Sequence, residues 1–180
     1  MRPDPAEGVV VVDYDPRWPL LFEEESRRVA DALGDAVAEV EHIGSTAVPG
    51  LAAKPIVDML VGLRTRELPP AAIEAMDELG YEFLGENGIP GRLFFRKGRP
   101  RSHHVHAVLV GSDLWERHLA FRDYLRAHAG EAEAYAQFKL KLVGDVGGHR
   151  DSYVDGKETY AAGLEQRARS WKGAPGSVGT

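Results

Sequence analysis

The sequence predicts an α+β domain, a mixed β-sheet flanked by α-helices with further helices at the C-terminal end. Three observations predict it. Short runs rich in β-branched and aromatic residues recur between residues 8 and 110, bounded by Gly and Pro. Two helical patterns fall among them without regular strand–helix interleaving, which favours helices mainly on one side of the sheet over a doubly wound arrangement. From Ser112 onward the apolar spacing is helical throughout.

The elements follow in order. Residues 1–7 read as a loose leader. Gly8 to Tyr14 holds four consecutive valines and reads as a strand. Asp15-Pro16 supplies an N-cap and a proline at the first helical position. That helix runs to about Asp35 on the stripe Trp18, Leu21, Phe22, Val29 and Leu33; Glu23, Glu24, Glu25, Arg27 and Arg28 form its solvated face. Val37 to Ile43 and Pro55 to Leu63 are the next strands. Leu68-Pro69-Pro70 opens a helix through Leu79, ended by Gly80. Tyr81 to Leu84, Arg92 to Arg96 and His103 to Val110 complete the strands. Ser112 caps a helix to about Ala129, stopped by Gly130. Another runs from Glu131 to Leu142, Gly144 to Gly148 is a loop, and the last helix spans Asp151 to Trp171. One domain thus occupies residues 8–172, and 173–180 have the composition of a disordered tail.

Composition bounds the function. At 180 residues the chain is long enough for a core of its own. Its net charge of -6 argues against nucleic-acid binding by bulk electrostatics. With no cysteine, disulfides and thiolate chemistry are excluded. No apolar run approaches the roughly 20 residues needed to span a bilayer, and the N-terminus lacks a secretory core. A cytoplasmic protein is expected. Oligomeric state is not legible.

The most informative stretch runs from Glu41 to Val61. Asp58 sits inside the apolar run Ile56 to Val61, where charge is costly unless paired. It reads as a metal- or phosphate-site carboxylate, or as the partner of a nearby arginine. Just upstream, Gly44-Ser45 offers a tight turn with N–H groups and a hydroxyl suited to an anion. Ser45, Thr46 and Lys54 form an anion-facing set, against the plainer reading of a capped turn with Lys54 exposed. His104 and His106 share a strand face and are plausible metal ligands or proton-transfer groups, whereas His103 points the other way. His42 fits a site mouth or a structural hydrogen bond. Arg92, Arg96 and Lys97 make a basic cluster, either for an anionic ligand or for salt bridges to Glu82 or Glu86. Arg122, Lys139, Lys141, Tyr153 and Lys157 lie on the C-terminal helices, as packing and surface residues or as a cover over the ligand. Gly144 to Gly148 lacks the Lys-Ser or Lys-Thr of a Walker loop.

Ile43-Gly44-Ser45 followed by Asp58 resembles the signature of the nucleotidyltransferase superfamily, the DNA polymerase β-like fold. Leu60 stands where that pattern has a second acid. A closer resemblance is to the GrpB family within it. The residues that carry it are Glu41 to Pro55, Gly88-Ile89-Pro90-Gly91-Arg92, Phe94-Phe95-Arg96-Lys97-Gly98 and His103-His104-Val105-His106. Trp115, His118 to Arg126 and Tyr153 to Lys157 fit as well, so it covers residues 8 to 165. The resemblance implies a nucleotidyltransferase-like mixed sheet. It also implies a nucleotide or small phosphorylated or anionic ligand. Gly44, Ser45, Thr46, Lys54, Arg92, Lys97, Tyr153 and Lys157 would bind substrate. Asp58, His104 and His106 would be catalytic and hold a divalent ion (Mg, Mn or Zn) for phosphoryl or nucleotidyl transfer. A similar domain occurs fused behind dephospho-CoA kinase, which implies a second class of function, a non-catalytic binding or folding-helper module, and Leu60 favours it. A metal-dependent hydrolase on the same residues is the third.

Overall fold

The computed structural model describes residues 8–147 and 149–173. The expected leader at 1–7, Gly148 and the tail beyond Gly173 lie outside the described residues. Five helices, α1 (Trp18–Leu33), α2 (Pro70–Glu78), α3 (Asp113–Ala127), α4 (Ala129–Asp145) and α5 (Arg150–Lys172), surround one sheet. Its strands are β1 (Val37–Ile43), β2 (Val57–Leu63), β3 (Tyr81–Phe83), β4 (Arg92–Lys97) and β5 (His103–Leu109). They lie in the order β1-β2-β5-β4-β3, antiparallel except for the parallel pair β2–β5.

Alternation along the strands assigns the two faces. Val57, Met59, Val61, Val105, Ala107 and Phe95 pack under α1 and α2 with Val29, Leu33 and Met76. On the opposite face, Leu60, Ile43 and Val108 meet Trp115 of α3. The α3–α5 unit has its own apolar seam of Leu125, Tyr135, Leu164 and Ala168 against Val48 and Leu51. Helices therefore cover both faces, not mainly one. Arg122 ties α3 to β1 through Glu41 and the His42 carbonyl at 3.2 Å.

Several boundaries differ from expectation. Residues 8–14 form no strand; they contribute a single bridge, Val12 to Ala53. The α1 helix begins at Trp18 because the Asp15 carboxylate takes the Arg17 N–H at 2.9 Å and closes a separate turn. Ser112 does cap α3, accepting the Trp115 N–H. Gly130 stops nothing: α3 ends at Ala127, and α4 starts at Ala129 and runs through Gly144 to Asp145. Glu25, expected on the solvated face, is 3 % exposed. It accepts from Lys97 Nζ (2.6 Å), Tyr81 Oη (3.0 Å) and Arg28 (3.2 Å), so α1 is pinned to β3 and β4 by a buried carboxylate.

Candidate functional site

The register builds the site. Antiparallel pairing sets Ile43 opposite Asp58, and the turn after Ile43 brings Gly44 against the Asp58 side chain. Parallel pairing sets His104 beside Asp58 and His106 one step along the same face. His104 Nδ1 lies 3.1 Å and His106 Nε2 3.2 Å from Asp58 Oδ1. Phe94 packs against both imidazoles. Leu60, on the Asp58 face, is fully buried beneath Trp115 and seals the floor where a second acid would stand.

Above this floor, α3, α4 and α5 wall a half-open cavity of about 300 Å³. Ser45, Thr46, Lys54, Asp58, His104, His106, Tyr153 and Lys157 all line it, together with Gly44. Two expected ligand-binding residues do not. Lys97 lies on the opposite sheet face, held by Glu25, because alternation along β4 turns it away from Arg92 and Phe94. Arg92 stands behind His106: its Nη1 is 3.4 Å from His106 Nδ1, and its Nη2 donates to the carbonyls of Glu86 and Asn87. Arg96 is paired with Glu82 at 2.7 Å. Thr46 touches the cavity, but its hydroxyl is engaged by His42 Nε2 at 2.9 Å. His42 itself stacks on Phe22 across the sheet from the cavity.

The helices add further lining residues, of which the sequence reading weighs only Lys139, as a cover over the ligand or a packing residue. Arg117, His118, Phe121, Tyr135, Lys139 and Glu165 line the cavity. Lys139 Nζ, on a side chain only 2 % exposed, lies 2.9 Å from Ser45 Oγ and donates to the Ala52 carbonyl at 2.5 Å. Lys54 Nζ sits 4.8 Å from the centre of the Tyr153 ring. Arg122, in contrast, anchors helix to sheet, and Lys141 is exposed. The signal for the additions was spacing: Tyr135 and Lys139 lie four residues apart, and Glu165 continues the every-fourth-residue face of the expected Tyr153 and Lys157 through Ala161.

Electrostatics divide the cavity. Burial alone would raise the Asp58 carboxyl. Hydrogen bonds and charge from His104 and His106 outweigh it and hold the group below the usual carboxylate range. Burial pushes His106 down, against the pull of Asp58. His118, packed on His106, falls to about 3 through burial and the neighbouring His106 and Arg117. Lys139 falls to about 7 through burial, with Lys157 and Lys54 adding to it. Arg117, Lys54, Lys139 and Lys157 face two carboxylates, Asp58 and Glu165. An acidic chain has thus gathered positive charge in one concavity.

The hydrogen-bond pattern assigns tautomers. Arg92 can only donate, so His106 Nδ1 accepts and its Nε2–H points at Asp58. His104 Nδ1–H also donates to Asp58, which leaves a basic lone pair on its Nε2. Asp58 Oδ1, His104 Nδ1 and His106 Nε2 lie within 4.8 Å of one another, and one carboxylate with two imidazoles suits Zn, Mn or Fe better than Mg. This donor set fits a divalent ion, provided Arg92 yields when the His106 proton moves to Nδ1.

His42 makes acid stability a readout of the turn. Burial lowers it to about 4, against about 6.5 unfolded. Between those values the unfolded chain binds a proton that the native one refuses, so stability falls as pH drops from about 6.5 towards 4. The shift corresponds to about 3 kcal/mol. Urea midpoints at pH 7 and pH 4.5 are expected to differ less for His42→Gln than for the parent; an equal difference would refute the assignment.

Comparison with known proteins agrees with this architecture. The family model for GrpB protein matches residues 8–167. The UPF0157 protein YqkA of Bacillus subtilis is 41 % identical over 93 % of this chain, an alignment spanning about half (49 %) of that protein's own length. A crystal structure of the conserved protein GrpB from Enterococcus faecalis superposes with a TM-score of 0.85 at 38 % identity, covering 90 % of this chain and 99 % of that one. A dephospho-CoA kinase of Mycolicibacterium paratuberculosis is 26 % identical over 93 % of this chain and 47 % of its own length.

Proposed function

This chain belongs to the GrpB family, and on that scaffold we propose that the cavity binds a nucleotide or another small phosphorylated ligand and acts on its phosphoryl group. The observation that supports this reading is one cavity with an Asp58–imidazole cluster at its floor and Lys54, Lys157, Arg117 and the Ser45 turn around it. Lys54, Arg117 and Lys157 neutralise phosphoryl oxygens. Asp58 holds His104 so that its Nε2 accepts a proton from an attacking hydroxyl or water, the orientation that a carboxylate gives a general base. Were Asp58, His104 and His106 to hold a divalent ion instead, His104 would bind through Nδ1 with its proton on Nε2, and the ion would supply charge stabilisation to a phosphoryl oxygen in place of the base.

Leu60 favours a second reading, a binding or folding-helper module without turnover. A melting screen of nucleotides, pyrophosphate, Zn²⁺, Mn²⁺ and Mg²⁺ tests the ligand. At a hundredfold excess over the dissociation constant the parent is expected to gain about 5–10 °C, and Asp58→Ala and His106→Ala are expected to gain nothing. A parent unmoved by every compound refutes the ligand reading. Binding without consumption of any nucleoside triphosphate selects the second.

A further inference from the structure

The Ser45–Lys139 contact is not explained by ligand anchoring alone. Lys139 Nζ is buried, 2.9 Å from Ser45 Oγ and 4.6 Å from the centre of the Tyr135 ring. Among the described residues no carboxylate pairs with it. The other groups around it are Lys54 from the loop before β2, Lys157 and Tyr153 from α5, and Tyr135 on its own helix. Burial and the two further lysines penalise an ammonium there, and the two carboxylates lining the same cavity, Asp58 and Glu165, accept no hydrogen bond from it among the described residues. The Ala52 carbonyl fixes one N–H at 2.5 Å, which leaves the lone pair of a neutral amine free to accept the Ser45 O–H. Ser45 opens the 3-10 turn Ser45–Ala47 directly after Gly44, whose φ is +72°.

We propose that Ser45 is a nucleophile and Lys139 its general base, and that Ser45 accepts the phosphoryl group of a small phosphoester before water removes it. The proposal rests on the phosphorylated-ligand reading for its substrate class. In the first step the Ser45 proton passes to Lys139 Nζ, the Oγ–P bond forms, and the P–O bond to the leaving alcohol breaks. The alcohol leaves with the proton from Lys139. In the second step water gives a proton to Lys139 as its oxygen bonds to phosphorus, and the Oγ–P bond to Ser45 breaks. Phosphate departs, and that proton returns to Ser45 Oγ. The sum is phosphoester plus water to phosphate plus alcohol, without redox change. An amine base next to a serine hydroxyl is an established way of activating it.

A fluorophosphonate probe tests the pair without nucleotide or metal. The parent is expected to gain one adduct, on Ser45, with loss of fluoride. The labelling rate is expected to rise about tenfold between pH 6 and pH 8 as the amine is freed. Ser45→Ala should not label. Lys139→Met, checked for an unchanged fold by its melting curve, should label at least about a hundredfold more slowly. With p-nitrophenyl phosphate, acid quenching is expected to trap phosphoserine at Ser45. No label in the parent, label on other hydroxyls, or a rate unaffected by Lys139→Met overturns the pair. Labelling of Ser45 without any trapped phosphoserine overturns the phosphoryl step. Ser45 labelling in a protein that no nucleotide stabilises would separate failure of the ligand reading from failure of the pair.

Discussion

Gly44→Ala is expected to lower the melting temperature by about 5–15 °C, which corresponds to roughly 2–5 kcal/mol in a domain of this size. Two costs add. The backbone there has φ +72°, a conformation that side chains with a Cβ resist. The new Cβ would also lie 2.8 Å from Asp58 Oδ2 and 3.2 Å from Asp58 Cβ. The carboxylate cannot simply retreat, because His104 and His106 hold its other oxygen. Gly50 provides the control: its φ is +79°, but a methyl at that position would meet nothing within 4 Å. Gly50→Ala should therefore cost only the backbone share, about 1–2 kcal/mol. Thermal or urea unfolding of the two variants decides it. Equal losses would show that crowding against Asp58 is not what fixes a glycine at 44. Gly44→Ala combined with Asp58→Ala should recover part of the loss.

Glu25→Ala is expected to destabilise by about 3–5 kcal/mol, the range for breaking one side of a buried ion pair. Its carboxylate is the common acceptor for Lys97 and Tyr81, and burial is outweighed by those partners, which hold it ionised. Removing it leaves an ammonium and a phenol without their acceptor under α1. Arg28→Ala, which takes away the exposed partner, should cost no more than about 1 kcal/mol. Glu25→Ala with Lys97→Met should be less damaging than Glu25→Ala alone. Urea denaturation with linear extrapolation measures all three, and a loss below about 1 kcal/mol for Glu25→Ala would mean that the network does not hold α1 to the sheet.

These two residues also show what was legible in the sequence. Period-two alternation in His103–Leu109 separated His103 from His104 and His106, as the structure has them, and the aspartate inside an apolar strand, read as a site carboxylate or an arginine's partner, is paired with those two histidines. Strand parity carries face assignment, so wherever a strand was found its faces followed. The same alternation already set Lys97 on the face opposite Arg92, and keeping both in the ligand set was the inconsistency that the structure exposes. Glu25 was hidden because a charged run reads as solvent-facing unless its partners are known, and Lys97 and Tyr81 are distant in sequence. Residues 8–14 were misread because four valines satisfy strand propensity without a neighbour to pair with. The cavity walls on α3–α5 were the least legible. A lysine such as Lys139 has the same local pattern whether it meets solvent or a serine, and only the packing of α4 on the 44–53 loop distinguishes the two.

The parallel pairing of β2 with β5 has a further consequence. Between these neighbours the chain runs through α2, β3 and β4, and the cavity they floor is roofed by helices that come later still. Residues from Gly44 to Glu165 must all be in place before any ligand can be enclosed. Such long-range closure makes for slow assembly. Completion of the cavity should thus be among the last events of refolding, and on a ribosome it must wait until α5 has cleared the exit tunnel. A bound ligand would then act as a seal on the finished molecule, protecting amides of β2, β5 and α5 together instead of one segment at a time.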